Sequence, residues 1–245
     1  MPKTLILIPS RMSASRLPGK PLLKINNISI ICHVVKRAEE ANIGEVVVAT
    51  EDQIILDEVE KSGSKAILTS NKHKTGTDRI FEAFKKLDIG DVEYVLNLQG
   101  DEPTISKDDI INLNNLMIKN NSSMGTLAAE IKDDLEHSNE NVVKIITKEK
   151  LQNKNFIPAL NFTRNNVTNS YINVYHHIGI YMYKVKILEA IVNLPQSKNE
   201  IKNKLEQLRA LENNIEINTT LAKSSPIGID TKEDYLAIKK IMEYK

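Results

Sequence analysis

The sequence predicts an α/β protein: a doubly wound, mostly parallel sheet with a smaller mixed sheet inserted into it. Short apolar runs alternate with amphipathic helical patterns through roughly the first 70 residues, which implies parallel strands joined by right-handed crossovers. A loop of small and basic residues leaves the first apolar run, where sheets of this kind hold their ligands. Near Gly125 the pattern changes to strands separated by polar loops rather than helices. The expected division is residues 1–125 with 221–245 as the sheet domain and residues 126–220 as the insert.

Thr4 to Ile8 reads as a buried strand. The loop Pro9 to Lys20, PSRMSASRLPGK, carries Arg11, Arg16 and Lys20 among Ser10, Ser13, Ser15 and Gly19. Small residues let a backbone approach a ligand closely, and cations suit phosphate. No acidic residue precedes Glu39, whereas seven Lys or Arg do. A triphosphate-binding loop and a solvated basic loop capped by a Pro-Gly turn both fit these residues. The spacing is neither a Walker A loop nor G-x-G-x-x-G.

Ile31, Val34, Val35, Ala38 and Ala41 recur at helical spacing over 29–42, and VVVAT up to Thr50 is a strand. A helix follows at 54–61 with Gly63 as its C-terminal signal, then a strand at 66–69. The polar loop 71–79 precedes a helix from Asp78 to Leu87, with Thr75 or Thr77 as N-cap. Tyr94 to Leu98 is the next strand, and Gln99-Gly100-Asp101-Glu102-Pro103 leaves its carboxyl end, which faces the ligand crevice. Asp101 there suits Mg²⁺ on a bound triphosphate, because Mg²⁺ takes one or two carboxylates plus phosphate oxygens; the competing reading is a plain Asp-Glu-Pro turn. Residues 106–119 carry a helical stripe. Strands follow at 126–131, 142–147, 159–163, 173–183 and 215–221, and Tyr171, Tyr175, Tyr181 and Tyr183 fall among them. The last helix, 232–243, starts beside Asp230, Thr231 and Asp234, so Asp230 or Thr231 is its cap.

Composition narrows the classes. The 245 residues support one large α/β domain or two small ones. With 33 basic and 32 acidic residues, nothing points to a nucleic-acid or membrane surface, so the anion preference must be local. No apolar run approaches the roughly 18 residues of a membrane span. The single Cys32 excludes a disulfide framework, and a reducing cytoplasm is the expected compartment.

The opening PSRMSASRLPGKPL resembles the signature of the sugar-activating nucleotidyltransferases, and most closely the 3-deoxy-manno-octulosonate (Kdo) cytidylyltransferases. HKTGTDR at 73–79, LQGDEP at 98–103, HHIGIY at 176–181, LEQLR at 205–209 and GIDTKED at 228–234 resemble the same family in the same order, across nearly the whole chain. The resemblance implies a nucleotide-diphospho-sugar transferase-like fold that moves CMP from CTP to Kdo for lipopolysaccharide biosynthesis and releases pyrophosphate. It implies nucleotide contacts from Pro9, Ser10, Arg11, Arg16, Lys20, His73, Arg79 and Gln99. Arg11, Lys20 and Asp101 become the catalytic groups, and Asp101 with Asp230 the Mg²⁺ carboxylates. Gln99, Arg164, His177, Tyr181, Glu206 and Gln207 become sugar contacts, and the insert becomes the sugar-binding half of a homodimer. Two departures stand out: Asn165-Asn166-Val167 in place of the family's Ile-Pro, and Asn203 in place of a carboxylate. Another 2-keto sugar acid of sialic-acid type, or a catalytically silent nucleotide-binding protein, are the alternatives.

Overall fold

The computed structural model describes residues 3–13, 16–132, 134–167 and 173–243; Ser15 and Tyr171 lie outside these. In chain order the strands and helices are β1 (Lys3–Ser10), β2 (Lys24–Ile25), β3 (Ile28–Ser29), α1 (Ile30–Ala41), β4 (Gly44–Thr50), α2 (Gln53–Lys61), β5 (Lys65–Leu68), α3 (Gly76–Leu87), β6 (Val92–Asn97) and α4 (Lys107–Lys119). They continue as β7 (Met124–Ala129), α5 (Asp134–Ser138), β8 (Lys144–Thr147), β9 (Ile157–Thr163), β10 (Asn173–Lys184), α6 (Val185–Asn193), α7 (Lys198–Asn203), α8 (Gln207–Glu212), β11 (Ile217–Leu221) and α9 (Lys232–Glu243). A single 3₁₀ turn, Lys20–Leu22, lies between β1 and β2.

Two compact units emerge: the residues up to Ile110 together with those from Pro226 on, and Ile111–Ser225. The divide falls within α4 rather than after residue 125, because compactness follows packing, not the change in sequence character.

In the first unit the strand order is β5-β4-β1-β6, and every pairing is parallel. The run Leu5 to Ile8 lacks polar alternation because the strand is covered on both faces, and each of its residues is at most 1% exposed. The chain runs from β1 to β4 and β5 on one side, then returns to β6 on the other. The loops after β1 and β6 therefore leave from neighbouring carboxyl ends of parallel strands, the place where parallel sheets commonly hold ligands. The β2–β3 hairpin turns on Asn26 and Asn27, both left-handed (φ 50° and 63°), as a two-residue hairpin requires. Ile25 and Ile30 pack with Ile229 and Ile238, which seats α9 against that hairpin.

In the second unit the order is β10-β7-β11-β9-β8, mixed in direction. β10 is twelve residues long. Its start pairs with β8 and its remainder with β7, so the sequence of strand pairings within this unit returns to β10. The sequence leads one to expect polar loops between these strands. Instead α5 separates β7 from β8, and α6, α7 and α8 separate β10 from β11. The short α5, α7 and α8 hold five or six residues each, too few to display helical periodicity, and α6 continues the apolar run of β10.

Candidate active site

The loop after β1 is tied by its own backbone. Gly19, left-handed at φ 74°, donates its N–H to the Met12 carbonyl at 3.2 Å, closing the segment between them. The Met12 N–H in turn donates to Asp52 Oδ2 at 2.7 Å, which pins the loop to the end of β4. Lys20 enters the 3₁₀ turn directly after the tie. Its Nζ lies 2.7 Å from Asp101 Oδ2 and 3.4 Å from Asp230 Oδ1. Arg16 reaches the other oxygen of Asp230 at 2.8 Å, and Arg11 stands exposed at the head of the loop.

Asp101 and Asp230 are brought together through the main chain as well as through charge. The Ile229 N–H donates to the Asp101 carbonyl at 3.0 Å. Gly100, just before Asp101, packs closely on β1: a β-carbon there would lie 2.9 Å from the Pro9 carbonyl oxygen. Pro9 also carries the start of α3: a β-carbon on Gly76 would sit 3.4 Å from its ring. Loops after β1, before α3 and after β6 thus converge on one proline. The open question over the last helix is resolved in favour of Thr231 as cap. Thr231 Oγ1 accepts from Asp234 N–H, and Asp234 Oδ2 accepts from the N–H groups of Thr231 and Asp230. The Asp230 side chain is thereby released for the cationic cluster.

Two carboxylates that share one ammonium present an all-oxygen donor pair of the kind Mg²⁺ uses, with phosphate oxygens and water completing its shell. Among the described residues no set of three His, Cys, Asp or Glu is assembled to hold a metal alone. Next to them Glu102, 8% exposed, is pushed up to about 8 by burial and by the charges of Asp101 and Asp230, so it is mostly protonated at neutral pH. Ser10 Oγ, Asn97 Oδ1 and Glu102 Oε2 are buried without a hydrogen-bond partner among the described residues. Such atoms at the ends of β1 and β6 are expected of a cleft built for a polar ligand.

Other predicted nucleotide contacts have a different setting. Arg79 is 3% exposed, and its guanidinium is engaged by Glu51, by Thr69 Oγ1 at 2.7 Å and by the Ser70 carbonyl. Its guanidinium organises the loop ahead of α3 from inside. His73 bonds Glu82, which also accepts the Ser70 N–H and pairs with Lys86. Thr75, not Thr77, caps α3 by accepting from Asp78 N–H. Gln99 follows β6 and is partly exposed.

In the second unit the predicted sugar contacts fall into two groups. His177 Nε2 lies 3.1 Å from Thr126 Oγ1, whose own proton goes to the Ile180 carbonyl at 2.7 Å, so Nε2 is the protonated nitrogen. Burial, then His176 and Arg164, pushes His177 down to about 3 and keeps it neutral. Its ring meets Phe162 edge-on and leans on Tyr181, 5.3 Å between centroids. The Tyr181 hydroxyl is buried without a partner among the described residues, and burial, Tyr183 and Glu206 raise its pKa. Glu206 precedes α8, and Gln207, its first residue, is buried. Arg164 forms the second group: Nε donates to the Asn203 carbonyl, and Nη1 to those of Glu140 and Asn141. Two of its three nitrogens therefore brace backbone before any ligand is considered. Arg209 of LEQLR is a structural partner, paired with Glu200 inside the unit.

The sequence reading missed Glu51 and Asp52, although both follow the carboxyl end of β4, the rule that singled out Asp101. It also missed Lys144, fully buried and bonded to the carbonyls of Asn139 and Arg164. A lysine inside VVKIIT was the available signal.

A tied basic loop and a carboxylate pair at adjoining carboxyl ends of a parallel sheet define a nucleotide-handling α/β protein, and the cytidylyltransferase family model matches residues 5–217. The 3-deoxy-manno-octulosonate cytidylyltransferase of Afipia carboxidovorans is 44% identical over 98% of this chain and 96% of its own length. That of Bartonella bacilliformis is 42% identical over 98% of both. The structure of a CMP:2-keto-3-deoxy-manno-octonic acid synthetase complexed with CTP superposes with a TM-score of 0.89 at 34% identity, covering 99% of each chain. This chain belongs to the 3-deoxy-manno-octulosonate cytidylyltransferase family. Among the described residues no helix is long and apolar enough to cross a membrane.

Proposed function

We propose that this protein transfers CMP from CTP to the anomeric hydroxyl of Kdo, releasing pyrophosphate, as a step toward lipopolysaccharide. The observation that carries the reading is the convergence of Asp101 and Asp230 on one cation beside the basic loop. The first unit receives CTP, with Arg11, Arg16 and Lys20 placed against the phosphates and Ser10, Gln99 and His73 on the nucleoside side. Asp101 and Asp230 would hold Mg²⁺, which supplies charge neutralisation at the α-phosphate. The second unit receives the sugar acid through Tyr181, whose hydroxyl has a hydrogen bond to offer, with His177, Glu206 and Gln207 around it and Arg164 for the carboxylate.

The anomeric oxygen attacks the α-phosphorus, the bond to the β-phosphate oxygen breaks, and pyrophosphate leaves; the hydroxyl proton passes to Asp101 or to water. Lys20 and Arg11 offset the charge that builds on the leaving group. Neutral His177, its one N–H given to Thr126, leaves Nδ1 as an acceptor for a sugar hydroxyl and adds no charge. The working form is a homodimer built through the second unit, where Leu160 and Ile201 are exposed.

The test is pyrophosphate release from CTP or UTP with Kdo or a sialic-type acid, with Mg²⁺ or with chelator. CTP with Kdo and Mg²⁺ is expected to turn over, with losses on the order of 10²–10³ in Asp101→Ala and Arg11→Ala. Equal turnover with the sialic-type acid moves the substrate assignment. CTP binding without turnover on any acceptor indicates a silent nucleotide-binding protein.

A further inference from the structure

Asp52 stands at the N-cap of α2, the position where an aspartate ordinarily accepts an N–H from its own helix, yet it makes no such bond. The helix begins instead on its main chain, with Ile55 and Leu56 donating to the Asp52 carbonyl. Its carboxylate reaches forty residues back to the N–H of Met12 at 2.7 Å. Its own N–H is steadied by Thr50 Oγ1 at 3.1 Å, so the side chain departs from a fixed base.

The amide it holds is one end of a closed segment. Met12 accepts the Gly19 N–H through its carbonyl while giving its own N–H to Asp52. Arg11 immediately precedes the pinned amide and Lys20 immediately follows the tie. One carboxylate thereby bonds the main chain between the two cations. A negative charge near a phosphate site is electrostatically unhelpful, so its value there must lie in the oxygen's position rather than its charge.

We propose that Asp52 is a positioning residue for the triphosphate, fixing Arg11 and Lys20 through the Met12 amide; this rests on the reading of the loop as the CTP site. Two variants separate oxygen from charge. Asp52→Asn keeps an oxygen at the same reach and removes the charge. Asp52→Glu keeps the charge and displaces the oxygen by one methylene.

The measurements are CTP affinity by calorimetry, KM for CTP and for Kdo, kcat, and the melting temperature. Asp52→Glu is expected to raise the CTP Kd and KM about tenfold, the scale of a lost charge-assisted hydrogen bond, with Kdo KM and melting temperature held. Asp52→Asn is expected to bind CTP as well as the parent or better. The proposal is overturned if Asp52→Asn is as impaired as Asp52→Glu, if neither changes CTP affinity, or if both KM values and the melting temperature move together. Should the parent protein bind no CTP, the functional reading fails and takes this proposal with it. CTP binding that is indifferent to residue 52 removes the proposal alone.

Discussion

Replacing Lys20 by Met should tighten the binding of free Mg²⁺ while it cripples turnover. The Lys20 ammonium lies 2.7 Å from Asp101 and 3.4 Å from Asp230, so it would compete with a divalent ion for the same two carboxylates. Unit charges about 4 Å apart interact by about 4 kcal/mol at an effective permittivity near 20 and about 1 kcal/mol in water. The Asp101 and Asp230 side chains are 30% and 47% exposed, which places the competition toward the aqueous limit, about 1–2 kcal/mol. That is about five- to thirtyfold in Mg²⁺ affinity. Once CTP is present the same lysine faces phosphate, and its loss is expected to lower kcat on the order of 10²–10³. Calorimetric titration of the nucleotide-free variant with Mg²⁺, beside a pyrophosphate-release assay, reads both arms. Unchanged or weaker Mg²⁺ binding in Lys20→Met would refute the shared-ion geometry.

Arg209→Met leaves the Glu200 carboxylate buried without its cation, both side chains being 3% exposed, and is expected to cost about 3–5 kcal/mol in urea unfolding. Adding Glu200→Met should restore at least half of that; a loss below about 1 kcal/mol in the single variant contradicts the assignment. Burial alone would raise the carboxyl of Glu82, but hydrogen bonds from Lys86, His73 and the Ser70 N–H outweigh it and lower it from 4.5 to about 2. A carboxyl depressed on folding adds stability in full above its unfolded value and loses it as pH falls toward the folded one. Glu82→Gln should therefore melt below the parent at pH 6, with the gap closing between about pH 4.5 and 2; a gap independent of pH would argue against the Glu82 cluster.

The sheet of the first unit was readable because its strands carry their burial in composition: Leu5 to Ile8 and Val46 to Ala49 are apolar without interruption. The same rule located Asp101, since any polar residue beyond such a run faces the crevice. It stopped at Asp230, where cap and ligand look alike; only the bonds from Thr231 and Asp234 separate them. Arg79 was legible as a motif member but not as buried, because a first-turn arginine reads the same whether it turns in or out. Asp52 was hidden for a related reason: an aspartate before a helix satisfies the local rule so well that a distant partner goes unsuspected. The short helices of the second unit left no periodic trace, and its closed strand circuit depends on one long strand serving two neighbours, which no local pattern encodes.

Pro9 underlies all three loops at the crevice, and what they press against it is main chain and ring rather than interchangeable side chains. The floor of the cleft is therefore a fixed die, while the rim around it remains open to revision. Anyone wishing to alter the base or sugar this protein accepts should vary the rim and leave positions 9, 76 and 100 untouched, because a single methyl group at Gly100 would push two walls apart before it met any substrate.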